Sequence, residues 1–132
     1  DMREHLKAGM KHPRAPRSQP AATSRNGQTS DAEKFIQKVQ TLMWECVGIV
    51  RDGRALQRVV SELCALQAQT PCLGDRRSRE AANILQAGLL IARSALAREE
   101  SRGAHYRLDC PLKNDARYRK HSVLSGENIR FE

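Results

Sequence analysis

Ala95-Leu-Ala-Arg98-Glu99-Glu100-Ser101-Arg102-Gly103-Ala104-His105-Tyr106-Arg107-Leu108-Asp109 runs off the end of a long aliphatic pattern, with six ionisable side chains and a tyrosine in the eleven residues from Arg98 to Leu108. A freely solvated surface rarely combines such density with a central glycine and an apolar lead-in. The stretch reads as a helix end followed by a tight turn whose charges have partners. The lead-in is a helix over about Ser78 to Glu100, in which Ala81, Ile84, Leu85, Gly88, Leu89, Ile91, Ala92, Ala95 and Leu96 line nearly the whole circumference. Such a helix is sandwiched between others. Gly103 is its expected left-handed terminator, and Ala104 to Leu108 is expected to be extended or irregular.

Two further helices lie upstream. Phe35, Val39, Leu42 and Cys46, beside a second row of Ile36, Met43 and Val47, form a wide apolar stripe at helical period. Ser30 or Asp31 starts that helix, with Glu33 placed as in a capping box. Gly48 and the β-branched Ile49-Val50 end it. Asp52-Gly53 makes a turn in which Asp52 caps the next helix, whose buried face is Leu56, Val59, Val60, Leu63 and Leu66. Thr70-Pro71 stops it, since the residue before a proline is pushed out of helical conformation, and Cys72 to Arg77 is a connection. Three amphipathic helices with short links give an all-α class, an antiparallel three-helix bundle over residues 31–109. Residues 110–132 are expected to be an irregular, extended tail, in which Ser122–Ser125 and Asn128–Phe131 could pair as a small hairpin.

Pro13, Pro16 and Pro20 stand among Ser, Thr, Asn and Gly, so residues 12–30 read as a disordered linker that cannot repay the entropy of ordering. Met2, Leu6 and Met10 allow a helical turn or two before it, and the opening Asp1-Met2 suggests a fragment. The chain of 132 residues carries a net charge of +8, of which +4 falls within residues 1–30. A basic helical module that binds nucleic acid is therefore one reading, but the basic residues form no block and no aromatic residues interleave them. A solvated linker is preferred. With only five aromatics (Phe35, Trp44, Tyr106, Tyr118, Phe131) the core must be aliphatic.

Cys46, Cys64, Cys72 and Cys110 contain no C-x-x-C pair, which argues against zinc and for free thiols in a reducing cytoplasm. The longest apolar run, Ala87 to Ala92, is too short to span a bilayer. Arg51-Asp52-Gly53-Arg54 lacks the setting of a dinucleotide loop. No nucleophile has a base, and no acid–histidine set has metal spacing.

The opening stretch, taken with Leu42-Met-Trp44-Glu45-Cys46-Val47-Gly48-Ile49-Val50-Arg51, resembles the carboxy-terminal helical domain of the L-aspartate oxidases, in the succinate dehydrogenase and fumarate reductase flavoprotein family. The resemblance covers roughly residues 35–109. Glu100 to His105 is shared with the dehydrogenases and reductases, and Lys120-His121 is similar to their tails. Trp44 and Cys46 to Arg51 fit the oxidases better, although Cys46 stands where that motif has His or Tyr. The resemblance implies that residues 1–11 end an upstream domain, and that FAD and the substrate-holding Arg and His residues belong to upstream FAD-binding and capping domains. It implies a whole enzyme that oxidises L-aspartate to iminoaspartate, with quinolinate synthase using the product for NAD synthesis.

On this reading the chain itself holds no catalytic, cofactor-binding or metal-binding residue. Arg98, Glu100, Arg102, His105 and Arg107, with Glu99, could bind a dicarboxylate, because Arg pairs with carboxylates in bidentate fashion and His moves protons. The preferred reading is an ion-pair and capping network facing another domain, with Arg98 and Arg102 four apart on one helix face. Trp44 is expected to anchor the bundle rather than stack on a cofactor. Arg117, Arg119, Lys120 and His121 are read as a solvated or interdomain basic knot.

Overall fold

The computed structural model describes residues 31–70, 75–126 and 128–132. The readings of residues 1–30, of Ser30 as a cap and of the 71–74 connection lie outside them. Helix α1 spans Asp31–Cys46, strand β1 Val50–Arg51, α2 Gly53–Gln67, α3 Arg76–Ala97 and β2 Tyr106–Arg107; a single turn α4 (Asp115–Tyr118) and strands β3 (Ser122–Ser125) and β4 (Asn128–Phe131) follow.

The apolar stripes do what their spacing implies. Phe35, Ile36, Val39, Cys46 and Val47 from the first helix and its exit, Leu56, Val59, Leu63 and Leu66 from α2, and Ala81, Leu85, Leu89, Ala92 and Ala95 from α3 form one buried cluster. Glu33 meets Arg77 near the starts of α1 and α3, and Met43 lies over Gly88 further along, so these two helices run the same way. The N-terminus of α2 sits beside Arg107, whose guanidinium touches the last carbonyls of α3, so α2 runs against both. Asp52 caps α2 as expected, its Oδ1 accepting from the amides of Arg54 at 2.9 Å and Ala55 at 3.3 Å.

Four expectations are corrected. Helix α3 ends at Ala97, with Arg98 extended at ψ 99°, so Arg98 and Arg102 do not share a helix face. Gly103 does adopt a left-handed φ of 58°, but in the turn closed by the Arg102–His105 bridge, six residues past the helix. Trp44 does not anchor the core: it is 86 % exposed. Ile91, read as part of an all-round apolar helix, is half exposed.

The segments flanking the helices pair across the chain. Strands β1 and β2 form a parallel ladder with Val50 opposite Tyr106 and Arg51 opposite Arg107. Strands β3 and β4 make the antiparallel hairpin, Ser122 opposite Phe131 and Ser125 opposite Asn128. The tail is thus more ordered than an extended strand of chain. Tyr118 of α4 is buried, its ring meeting Phe131 edge-on at 4.8 Å, with the Arg98 guanidinium over both rings.

Candidate functional site

The charged segment after α3 folds around Glu100, which is fully buried. Its Oε1 accepts from Arg98 Nη1 and Arg102 Nε, both at 2.8 Å, and its Oε2 from Arg102 Nη2 at 3.1 Å and the Asn114 amide at 2.8 Å. Hydrogen bonds from Arg102, then from Asn114 and Arg98, outweigh burial and hold this carboxyl down at about 2. Arg102 reaches on to Asp115, and its own pKa is raised by the two carboxylates. Arg98 also donates to the carbonyls of Tyr118 and Lys120, both at 2.7 Å, so one guanidinium ties the helix end to the tail.

Arg107 is buried and performs a second task. Its Nη1 donates to the α3 carbonyls of Leu96 at 2.9 Å and Ala95 at 3.3 Å, while its Nε donates to Asp109 Oδ1 at 2.8 Å. Asp109 rests against the amide of Gly53 and, through Arg107, titrates at about 2. A cation therefore sits on the C-terminal carbonyls of α3 and an anion on the N-terminal amide of α2, matching both helix dipoles with one ion pair. The approach is close: a Cβ at Gly53 would lie 2.5 Å from Asp109 Oδ2 and 2.6 Å from Arg107 Nη2.

His105 is fixed from both sides. A carbonyl oxygen only accepts and a guanidinium only donates, so Nε2 carries the hydrogen toward Arg98 O at 3.0 Å and Nδ1 accepts from Arg51 Nη1 at 2.5 Å. Burial first, then the positive neighbours Arg51, Arg107 and Arg98, push its pKa down. The ring is neutral with both nitrogens engaged, and it has no position left for a substrate proton. A groove of about 370 Å³ passes this ring, lined on the other side by Leu90, Ile91 and Ser94 of α3.

All five residues singled out in the sequence converge here, with Glu99 at the margin, where it pairs with Arg117 at 2.8 Å. Sequence reasoning missed the partners. Arg51 comes from 54 residues away. Ser101 Oγ accepts from the Arg107 amide at 2.8 Å and donates to Cys110 O at 2.8 Å. Asn114 and Asp115 look like ordinary loop residues, and only the Asn-Asp pair at a helix start hinted at them. In the basic knot, Arg117 lies over the Tyr118 ring at 4.9 Å and the Lys120 carbonyl receives Arg98.

The arrangement fastens elements together. Helix N-terminal amides are a common seat for phosphate groups; here those of α2 face Asp52 and Asp109, and that of α3 at Ser78 is taken by Asp75 at 2.8 Å. Among the described residues no cluster of His, Cys, Asp and Glu could hold a metal, and no helix is long and apolar enough to cross a membrane.

The fold and this network define a helical domain whose charged segment is tied together by buried ion pairs. The family model described as the fumarate reductase flavoprotein C-terminus matches residues 36–132, and the chain belongs to that family. The fumarate reductase flavoprotein subunit of Mycobacterium tuberculosis is 34% identical over 117 residues, covering 80% of this chain and 20% of the relative. The L-aspartate oxidase of Synechocystis is 32% identical over 112 residues, covering 67% and 20%, and that of Vibrio cholerae 34% over 105 residues, covering 73% and 20%. The chain spans about a fifth of the length of these curated relatives.

Proposed function

We propose that this domain is the carboxy-terminal, non-catalytic part of an FAD-dependent L-aspartate oxidase, and that it supports the upstream FAD-binding and capping domains of the same polypeptide. The observation that carries the structural role is the internal use of the charged cluster. Glu100 is saturated by four donor contacts and both nitrogens of His105 are engaged, so neither is available to a dicarboxylate. The flavin and the substrate would be held upstream, where the oxidation of L-aspartate to iminoaspartate would take place and feed quinolinate synthase. Trp44 followed by Cys46 to Arg51 supports the oxidase over its relatives. Among the described residues Cys46, Cys64 and Cys110 are free thiols, which supports a reducing cytoplasm.

A second reading, a fumarate reductase or succinate dehydrogenase flavoprotein subunit, is supported by the mycobacterial relative, which matches more of the chain than the two oxidases do. A stand-alone nucleic-acid binder is disfavoured, because Arg77, Arg98, Arg102, Arg107 and Arg117 are each engaged with carboxylates. The test is reduction of bound flavin in the full-length protein under anaerobic conditions. L-Aspartate should bleach it and succinate should not. Bleaching by succinate alone establishes the second reading, and a full-length protein without flavin contradicts both.

A further inference from the structure

The two outer edges of the β1–β2 ladder are treated differently. In this parallel register the Tyr106 amide bonds Ile49 O at 3.1 Å and the Leu108 amide bonds Arg51 O at 2.8 Å, so the backbone groups of Arg107 and of Val50 point away from the ladder. Those of Arg107 are sealed: its amide donates to Ser101 Oγ, and its carbonyl accepts from Cys110 N at 3.2 Å. Those of Val50 have no partner among the described residues. On this open edge Ile49 and Val50 are apolar and exposed, at 67 % and 59 %, and across the ladder Leu108 at 59 % and Tyr106 at 43 % are exposed as well. Natural sheet edges left in water are blunted by short length, charge, proline or a bulge; β1 is short and ends on Arg51, but Ile49-Val50 itself carries no charge, proline or bulge. A two-stranded ladder is also marginal without a further partner.

We propose that Val50 is the pairing edge for a third strand, supplied by the part of the same polypeptide that precedes Asp1, and that Ile49, Val50, Tyr106 and Leu108 seat its side chains. The proposal rests on the flavoprotein reading. The relatives are more than four times as long as this chain and the matching family model is a C-terminal one, so an upstream part of the polypeptide is available to cover the edge. Backbone pairing supplies the hold and the alternate apolar side chains supply the register, as in strand addition generally.

The test is amide exchange of the full-length flavin-bound protein, resolved to single residues, together with a photo-crosslinking side chain at position 50. The Val50 amide should exchange at least about a hundredfold more slowly than an unstructured amide, and the crosslink should form within one chain to residues upstream of Asp1. Flavin-loaded protein in which Val50 exchanges at the unstructured rate overturns the strand proposal and leaves the domain assignment intact. A crosslink between two copies, with protection lost on dilution to monomer, overturns it in favour of a homodimer edge. A full-length protein that never binds flavin removes the reading beneath it.

Discussion

Glu100→Gln keeps the side-chain shape and removes the charge at the centre of the network. The carboxyl is fully buried and its pKa falls from 4.5 to about 2 on folding. At about 1.4 kcal/mol per unit, that depression corresponds to about 3 kcal/mol of stability. Glutamine also turns one oxygen into a donor facing Arg102 or the Asn114 amide, which points the same way. For a domain of this size the loss should lower Tm at pH 7 by roughly 12–24 °C. The pH dependence is the sharper signature. Because the folded pKa is depressed, the contribution is complete above 4.5 and is lost as pH falls through about 2. The Tm gap between the parent protein and Glu100→Gln should therefore be constant from neutrality to mildly acid pH and close below it. Equal melting at pH 7, or a gap that persists unchanged at pH 2, would refute the reasoning.

Other expectations follow from single contacts. Leu85→Ala and Leu89→Ala should each cost on the order of 2–5 kcal/mol in urea unfolding, since both side chains are buried in the shared core. Gly103→Ala should cost about 1–2 kcal/mol by the same assay, entirely from its φ of 58°, because nothing lies within 4 Å of the added methyl. His105, with its pKa lowered, resists protonation in the folded state, so its share of stability is present above 6.5 and declines as pH falls below that value. The slope of stability with pH just below 6.5 should be smaller in His105→Gln, and an unchanged slope would place the titration elsewhere.

The helices were legible because burial leaves a period, and Asp52 because capping is local. Even Trp44 was decidable: it lies nine residues past Phe35, about two and a half turns, which places it on the opposite face. Its bulk argued for burial and its position argued against, and position won. The end of α3 was not legible. Arg98, Glu99 and Glu100 are good helix formers, so propensity carries the helix on toward Gly103. The actual end is set by contacts distant in sequence: Arg107 takes the carbonyls of Ala95 and Leu96, and Glu100 is drawn into the cage of Arg98, Arg102 and Asn114. The density of charge announced the network, but its partner Arg51 carries no local signal, and the Asn114-Asp115 pair signals only a helix start. The β1–β2 ladder was hidden for the same reason, since two residues per strand leave no period to read.

Steady-state kinetics of Arg102→Ala in the full-length flavoprotein test the central claim, that this charged segment fastens the domain and takes no part in chemistry. The measurement belongs at a temperature where both proteins are folded and fully loaded with flavin. Removing Arg102 strips Glu100 of its largest partner, and stranding a buried charge costs about 3–5 kcal/mol, so melting should fall while turnover stays within about tenfold of the parent. A loss of about a thousandfold or more in turnover, with unchanged melting and full flavin occupancy, would place this segment at the substrate and contradict the account.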